Sequence, residues 1–148
     1  MMHFRDYRQE DFKEVSDLWN ELDMGGEERG DTAEIIDQTL SMGGKLIILE
    51  DENRKKIVGT SWMTFDGRRI FLHHFGICRE EQGKGWGTKL AIESLKFIRN
   101  KKCQVKLEVH KNNLVAKKIY EKAGFMTFTD YDIYMIRKPG EIRIDNRM

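Results

Sequence analysis

Proline occurs once in these 148 residues and cysteine only twice. Cys78 and Cys103 lack zinc-like spacing and read as reduced thiols of a cytosolic protein, so no metal centre is expected. Long apolar runs are missing as well. Leu46-Ile47-Ile48-Leu49 is far too short to span a bilayer, which argues against a membrane protein. The opening residues Met1-Met2-His3-Phe4-Arg5-Asp6 lack the apolar core of a signal peptide, so a cytoplasmic location is expected. Nor is there an excess of one charge: 26 Lys and Arg stand against 25 Asp and Glu, a net charge of +1. That excludes a nucleic-acid binder resting on bulk basicity. Without repeats or low-complexity tracts, the sequence reads as one domain over residues 1–138, followed by a loose tail over 139–148.

What is present alternates between the periods of strand and helix. Residues 3–7 read as a first strand, and Phe12, Val15, Leu18, Trp19 and Leu22 recur as on a helix. The stretch from Met24 to Gly30 breaks that helix. Asp31 with Glu34 makes an N-terminal capping pattern for a second helix ending near Leu40. Residues 45–50 form a continuous apolar strand, hence central. The alternation over residues 56–65 predicts a strand with one covered face. Asp66-Gly67 is a hairpin turn into a further strand ending near Cys78. After a glycine-rich turn come a helix and a strand over 105–110, which make a parallel crossover. Asn112 or Asn113 caps the last helix and Gly124 stops it. Residues 125–137 predict two final strands or a hairpin around Thr129-Asp130.

The run Gln82-Gly83-Lys84-Gly85-Trp86-Gly87 carries the first chemistry. A strand, a glycine turn and a helix start place unpaired backbone N–H groups together, which suits an anion such as phosphate. Lys84 and Lys89 could add charge. The Gly-Lys-Ser/Thr ending and the Gly-x-Gly-x-x-Gly fingerprint of two familiar phosphate loops are both absent. On its own, this turn is as readily plain structure as a binding site.

The second motif lies downstream, at Asn113, Ala116, Tyr120, Gly124 and Phe125. Together with Gln82-x-x-Gly85-x-Gly87, in this order and at this distance, it resembles the GNAT superfamily of acyl-CoA-dependent N-acetyltransferases over roughly residues 2–137. The turn Asp66-Gly67-Arg68-Arg69 is similar to a subgroup of small bacterial acetyltransferases related to ribosomal-protein modifiers. The resemblance implies an α/β (α+β) fold. Its mixed sheet would have six or seven strands, two central parallel strands splayed apart, and four helices. It implies acetyl-CoA as cosubstrate, held by backbone groups of Ile77, Cys78 and Arg79 and by Gln82, Gly83, Lys84, Gly85, Trp86, Gly87 and Thr88, with Asn113 in contact. It also implies direct transfer in a ternary complex, which leaves Cys78 no role as nucleophile.

Tyr120 is then the general acid for the departing thiolate; the alternative is that it packs on a buried helix face with Ala116, Ile119 and Ala123. Two residues compete as base. Glu108 faces away from Leu107 and Val109, and a glutamate beside an apolar cleft would have a raised pKa. His73 falls where other relatives place a catalytic Glu or His. His74 points the other way on a regular strand, unless a bulge exchanges the two. Either histidine could be core, and Glu108 could simply pair with Lys106 or another surface lysine.

The expected partner is a primary amine, on a small molecule, a lysine or a peptide or protein N-terminus, and a homodimer is compatible with the sequence. Met24, Glu27, Glu28, Asp31, Trp62, Asp66, Tyr131 and Tyr134 set acids beside aromatics, which suits a cationic amine. Two other functions fit the same residues: a non-catalytic module that senses acyl-CoA, and a nucleotide binder using the glycine turn for ATP.

Overall fold

Leu46, Ile47, Ile48 and Leu49 are almost wholly buried, as in a strand covered on both faces. They form the centre of β2 (Lys45–Asp51) in a computed structural model that describes residues 1–145. β2 pairs antiparallel with β1 (Met2–Asp6) and with β3 (Lys56–Phe65). The sheet continues through β4 (Ile70–Leu72) to β6 (Val105–Leu107), while β5 (Gly76–Ile77) pairs with β3 alone. β4 and β6 are the parallel pair, joined through α3 (Trp86–Lys101). With α1 (Phe12–Glu21), α2 (Ala33–Ser41) and α4 (Leu114–Lys122), the described residues form a mixed six-stranded sheet and four α-helices. This is the expected architecture.

Four local expectations are corrected. β3 is covered on both faces, because its polar side chains find partners on the helices packed against it. The Trp19 Nε1–H of α1 donates to Thr60 Oγ1 at 2.9 Å, Trp62 Nε1–H donates to Thr39 Oγ1 of α2 at 3.0 Å, and the Ser61 and Ser94 hydroxyls meet at 2.7 Å under α3. The α2 cap is Thr32, whose Oγ1 accepts the Ile35 N–H at 3.2 Å; Asp31 is committed elsewhere. The strand expected to run to Cys78 is broken. Leu72 pairs with Met63 and Gly76 with Thr60, so His73, His74 and Phe75 stand opposite only Ser61 and Trp62. That extra residue is a β-bulge.

The last correction concerns the C-terminal hairpin. A bend occurs at residues 129–130 where the turn was expected, but no strand forms over residues 125–137. Phe128, Tyr131 and Tyr134 point into solvent. A period-two pattern becomes a strand only where a neighbour supplies ladder partners and a face to cover. Of the tail, Pro139–Glu141 makes one 3-10 turn, and residues 146–148 lie outside the described residues. Among the described residues no helix is long and apolar enough to cross a membrane.

Candidate functional site

β4 and β6 run side by side through the pairs Ile70–Val105, Phe71–Lys106 and Leu72–Leu107, and then part. β6 ends at Leu107, short of the expected 110, while the bulge carries the other chain into β5 along β3. The Cys78 N–H donates to the Val58 carbonyl at 2.7 Å. Antiparallel pairs alternate in bonding, so the next pair, Ile77 with Gly59, turns the Ile77 N–H away from β3 and into the gap. The expected splay is therefore present, with one donor aimed into it.

The residues expected to hold the coenzyme divide into two groups. The N–H groups of Cys78 and Arg79 are taken, by the Val58 carbonyl and by Glu21 Oε2 at 2.8 Å. The Gln82 side chain bonds back to the Ile77 carbonyl at 2.8 Å and closes the turn. From Gly83 to Thr88, by contrast, none of the N–H groups donates to a protein acceptor among the described residues. Gly85 takes φ 88° as the residue before α3, and open space surrounds the position of its absent Cβ. A helix start with free amides and no side chain in the way is a cradle for an anion. Trp86 is half-buried beneath Lys89, whose Nζ lies 4.4 Å from the ring centroid. Lys84 Nζ is 3.2 Å from Glu81 Oε2.

Arg54 braces this loop from the β2–β3 hairpin, donating to Asp51, Glu80 and Glu81 at 2.6, 2.9 and 2.7 Å. Sequence reasoning misses Arg54 and Glu21, because their partners lie far along the chain and no local pattern links them. On α4, Asn113 Oδ1 accepts the Ala116 N–H at 3.2 Å, confirming the cap. Tyr120 is buried between Phe75 and Phe125, with ring centroids 5.5 and 5.6 Å away. Burial pushes its phenol up to about 12. Tyr120 also lines a cleft of about 340 Å³ beneath β6 and residues 125–133, with Glu108 at the rim. The Glu108 side chain is exposed rather than lodged in an apolar site, and it makes no ion pair with Lys106.

The bulge turns both histidines to the α1–α2 face, where a regular strand would separate them. His73 Nε2 is 2.7 Å from Thr64 Oγ1, and its ring stacks near Phe71 and Trp62. Burial first, and then the neighbouring His74, lower its pKa to about 4, against a smaller opposing pull from Asp31. His74 packs on Trp19 and Trp62, and its Nε2 meets Asp31 Oδ2 at 2.7 Å. The same Asp31 oxygen accepts the Gly26 N–H at 2.8 Å. Asp31 thus joins the α1–α2 connection to the bulge, a role its sequence neighbourhood hides. The usable signal was Thr32, a competent cap that leaves the aspartate free. A larger cleft of about 700 Å³ lies between β1, β2 and α3, away from Tyr120 and the parted strands.

Residues 12–125 match the profile described as "Acetyltransferase (GNAT) family". Among solved structures, an acetyltransferase from Streptococcus agalactiae is 23% identical, with a TM-score of 0.73 over 91% of this chain and 90% of that one. A glucosamine-6-phosphate N-acetyltransferase from Arabidopsis thaliana is 20% identical, with a TM-score of 0.70 over 92% and 97% of the two chains. A predicted acetyltransferase from Clostridium acetobutylicum, solved with acetyl-CoA, is 16% identical, with a TM-score of 0.73 over 91% and 96%. At these identities the likeness is one of fold.

Proposed function

The chain belongs to the acetyltransferase (GNAT) family, and from that premise we propose that it is an acetyl-CoA-dependent N-acetyltransferase acting on a primary amine by direct attack in a ternary complex. The observation that carries this reading is the parting of β4 and β6, with the Ile77 N–H aimed into the gap. The free amides from Gly83 to Thr88 fit a diphosphate, and the gap fits a peptide-like arm that pairs as a short extra strand. Asn113 stands at the α4 start, where the family places a coenzyme contact. When bound, acetyl-CoA supplies the acyl group as a thioester.

The rest falls to the chain's own groups. The Ile77 N–H donates to the carbonyl oxygen as negative charge grows there. Glu108 accepts the proton the amine gives up, directly or through one water, as the N–C bond forms and the C–S bond breaks. Tyr120 gives its phenolic proton to the departing sulfur and is reprotonated from solvent. Its pKa of about 12 keeps it protonated at neutral pH until a thiolate develops beside it. His73 serves this reading less well as base, since Nε2 is engaged by Thr64 and the ring stays a weak proton acceptor. Burial raises the Cys78 thiol, which disfavours a thiolate and agrees with direct transfer.

Thiol release from acetyl-CoA against a panel of amines tests the proposal. Tyr120→Phe and Glu108→Gln should each lower kcat by roughly 10²-fold or more while coenzyme affinity holds. Tight coenzyme binding without acetylation of any amine would favour the acyl-CoA-sensing alternative instead.

A further inference from the structure

A third cleft, of about 520 Å³, opens on the α1–α2 face beside the parting of β4 and β6. Its walls are mainly apolar, from Met42, Phe65, Ile70 and Phe71, and His73 lies at the end nearest the parted strands. Two cations, Arg69 and Lys106, reach into it, and among the described residues neither has a carboxylate partner. Asp66 is the one acid in the lining, and its Oδ1 already accepts the N–H groups of Arg68 and Arg69 at 2.8 and 2.7 Å. Of the acids and aromatics that suggested a cationic ligand, only Asp66 lines this cleft, and its carboxylate is turned to the backbone of its own turn. Asp31 is bonded to His74 and Gly26, and Trp62 is buried beneath the histidines.

Resting on the acetyltransferase reading, we infer that this cleft seats the acceptor, and that the acceptor is an amine bearing a carboxylate or phosphate held by Arg69 and Lys106. Spacing along the strands sets its size. Lys106 lies beside Phe71, two residues before the gap, and Arg69 lies four residues before His73. The acyl carbonyl is held further on, at Ile77, which faces Gly59 where Phe71 faces Thr64; five residues of β3 at about 3.3 Å each, less the reach of the cationic side chains, leave the anionic group on the order of 10 Å from the reacting nitrogen. A free α-amino acid is too short to bridge that distance. A short peptide with its terminal carboxylate, or an aminoalkyl phosphate, is long enough. Arg69 offers the paired N–H geometry that either anion accepts.

Matched acceptors test this in the thiol-release assay: glycyl-glycyl-phenylalanine against its C-terminal amide, 6-aminohexyl phosphate against 6-aminohexanol, and spermidine as the polycation. In at least one pair the anionic member should have a KM tenfold or more below its neutral partner, and the pair that responds identifies the anion. Arg69→Ala, Lys106→Ala and their double variant should erase that difference; both side chains are exposed, so the fold is not at stake. Equal KM values within both pairs, a preference for spermidine, or a preference that survives the double variant would overturn the inference while leaving N-acetyl transfer standing. Failure of every amine to react, with coenzyme A binding intact by calorimetry, would overturn the catalytic reading itself.

Discussion

Burial holds His73 neutral far below the pH at which an exposed imidazole would charge. The sign of its effect on stability follows. The unfolded chain takes up this proton near 6.5 and the native state only near 4, so stability present above pH 6.5 is lost as the pH falls between them. The full span is on the order of 3 kcal/mol. Urea unfolding of His73→Asn at pH 7 and pH 4.5 should show a smaller difference in stability than the parent; an unchanged difference would remove His73 from the acid response. Thr60 is a second residue whose loss is informative. Its hydroxyl accepts from Trp19 and donates to the His74 carbonyl at 3.0 Å. Thr60→Val strands both partners inside the core and should cost about 1–3 kcal/mol in denaturant unfolding.

Between elements, the glycine turn is braced by the β2–β3 hairpin, which lies beside it in space at the start of β3 though far from it in sequence. Arg54→Ala removes three charge-assisted hydrogen bonds, two of them to the turn before Gln82. Loosening that turn should raise the KM for acetyl-CoA several-fold with kcat held, and more strongly at low salt than at high salt. An equal fall in kcat would place Arg54 in the chemical step instead. Legibility from sequence divides along the same line of local against distant. The glycine turn, the α4 cap at Asn113 and the parallel crossover rest on neighbouring residues, and all were readable. The bulge at His73, His74 and Phe75 was not, because it arises from β3 holding register on both sides of it. Asp31 looked like a cap because its partner, His74, is 43 residues away. Residues 125–137 carry strand periodicity, but pairing is decided by a neighbour the local pattern does not contain.

At the scale of the whole molecule, two clefts that share Lys106 meet at the parted sheet. One is lined by Tyr120 of α4; the other by His73, Arg69 and the end of α2. Transfer through such a gap needs the coenzyme arm to complete the sheet, so binding should stabilise the native state. At 100 times Kd, coenzyme A should add about 2.7 kcal/mol to the unfolding free energy. The most direct measurement is a coenzyme A titration followed by backbone amide NMR. The account predicts the largest shifts, with slowed hydrogen exchange, at Ile77 and from Gly83 to Thr88. Saturable binding that leaves those amides unmoved and instead perturbs Lys96, Arg99 and Lys102 at the larger cleft would contradict it.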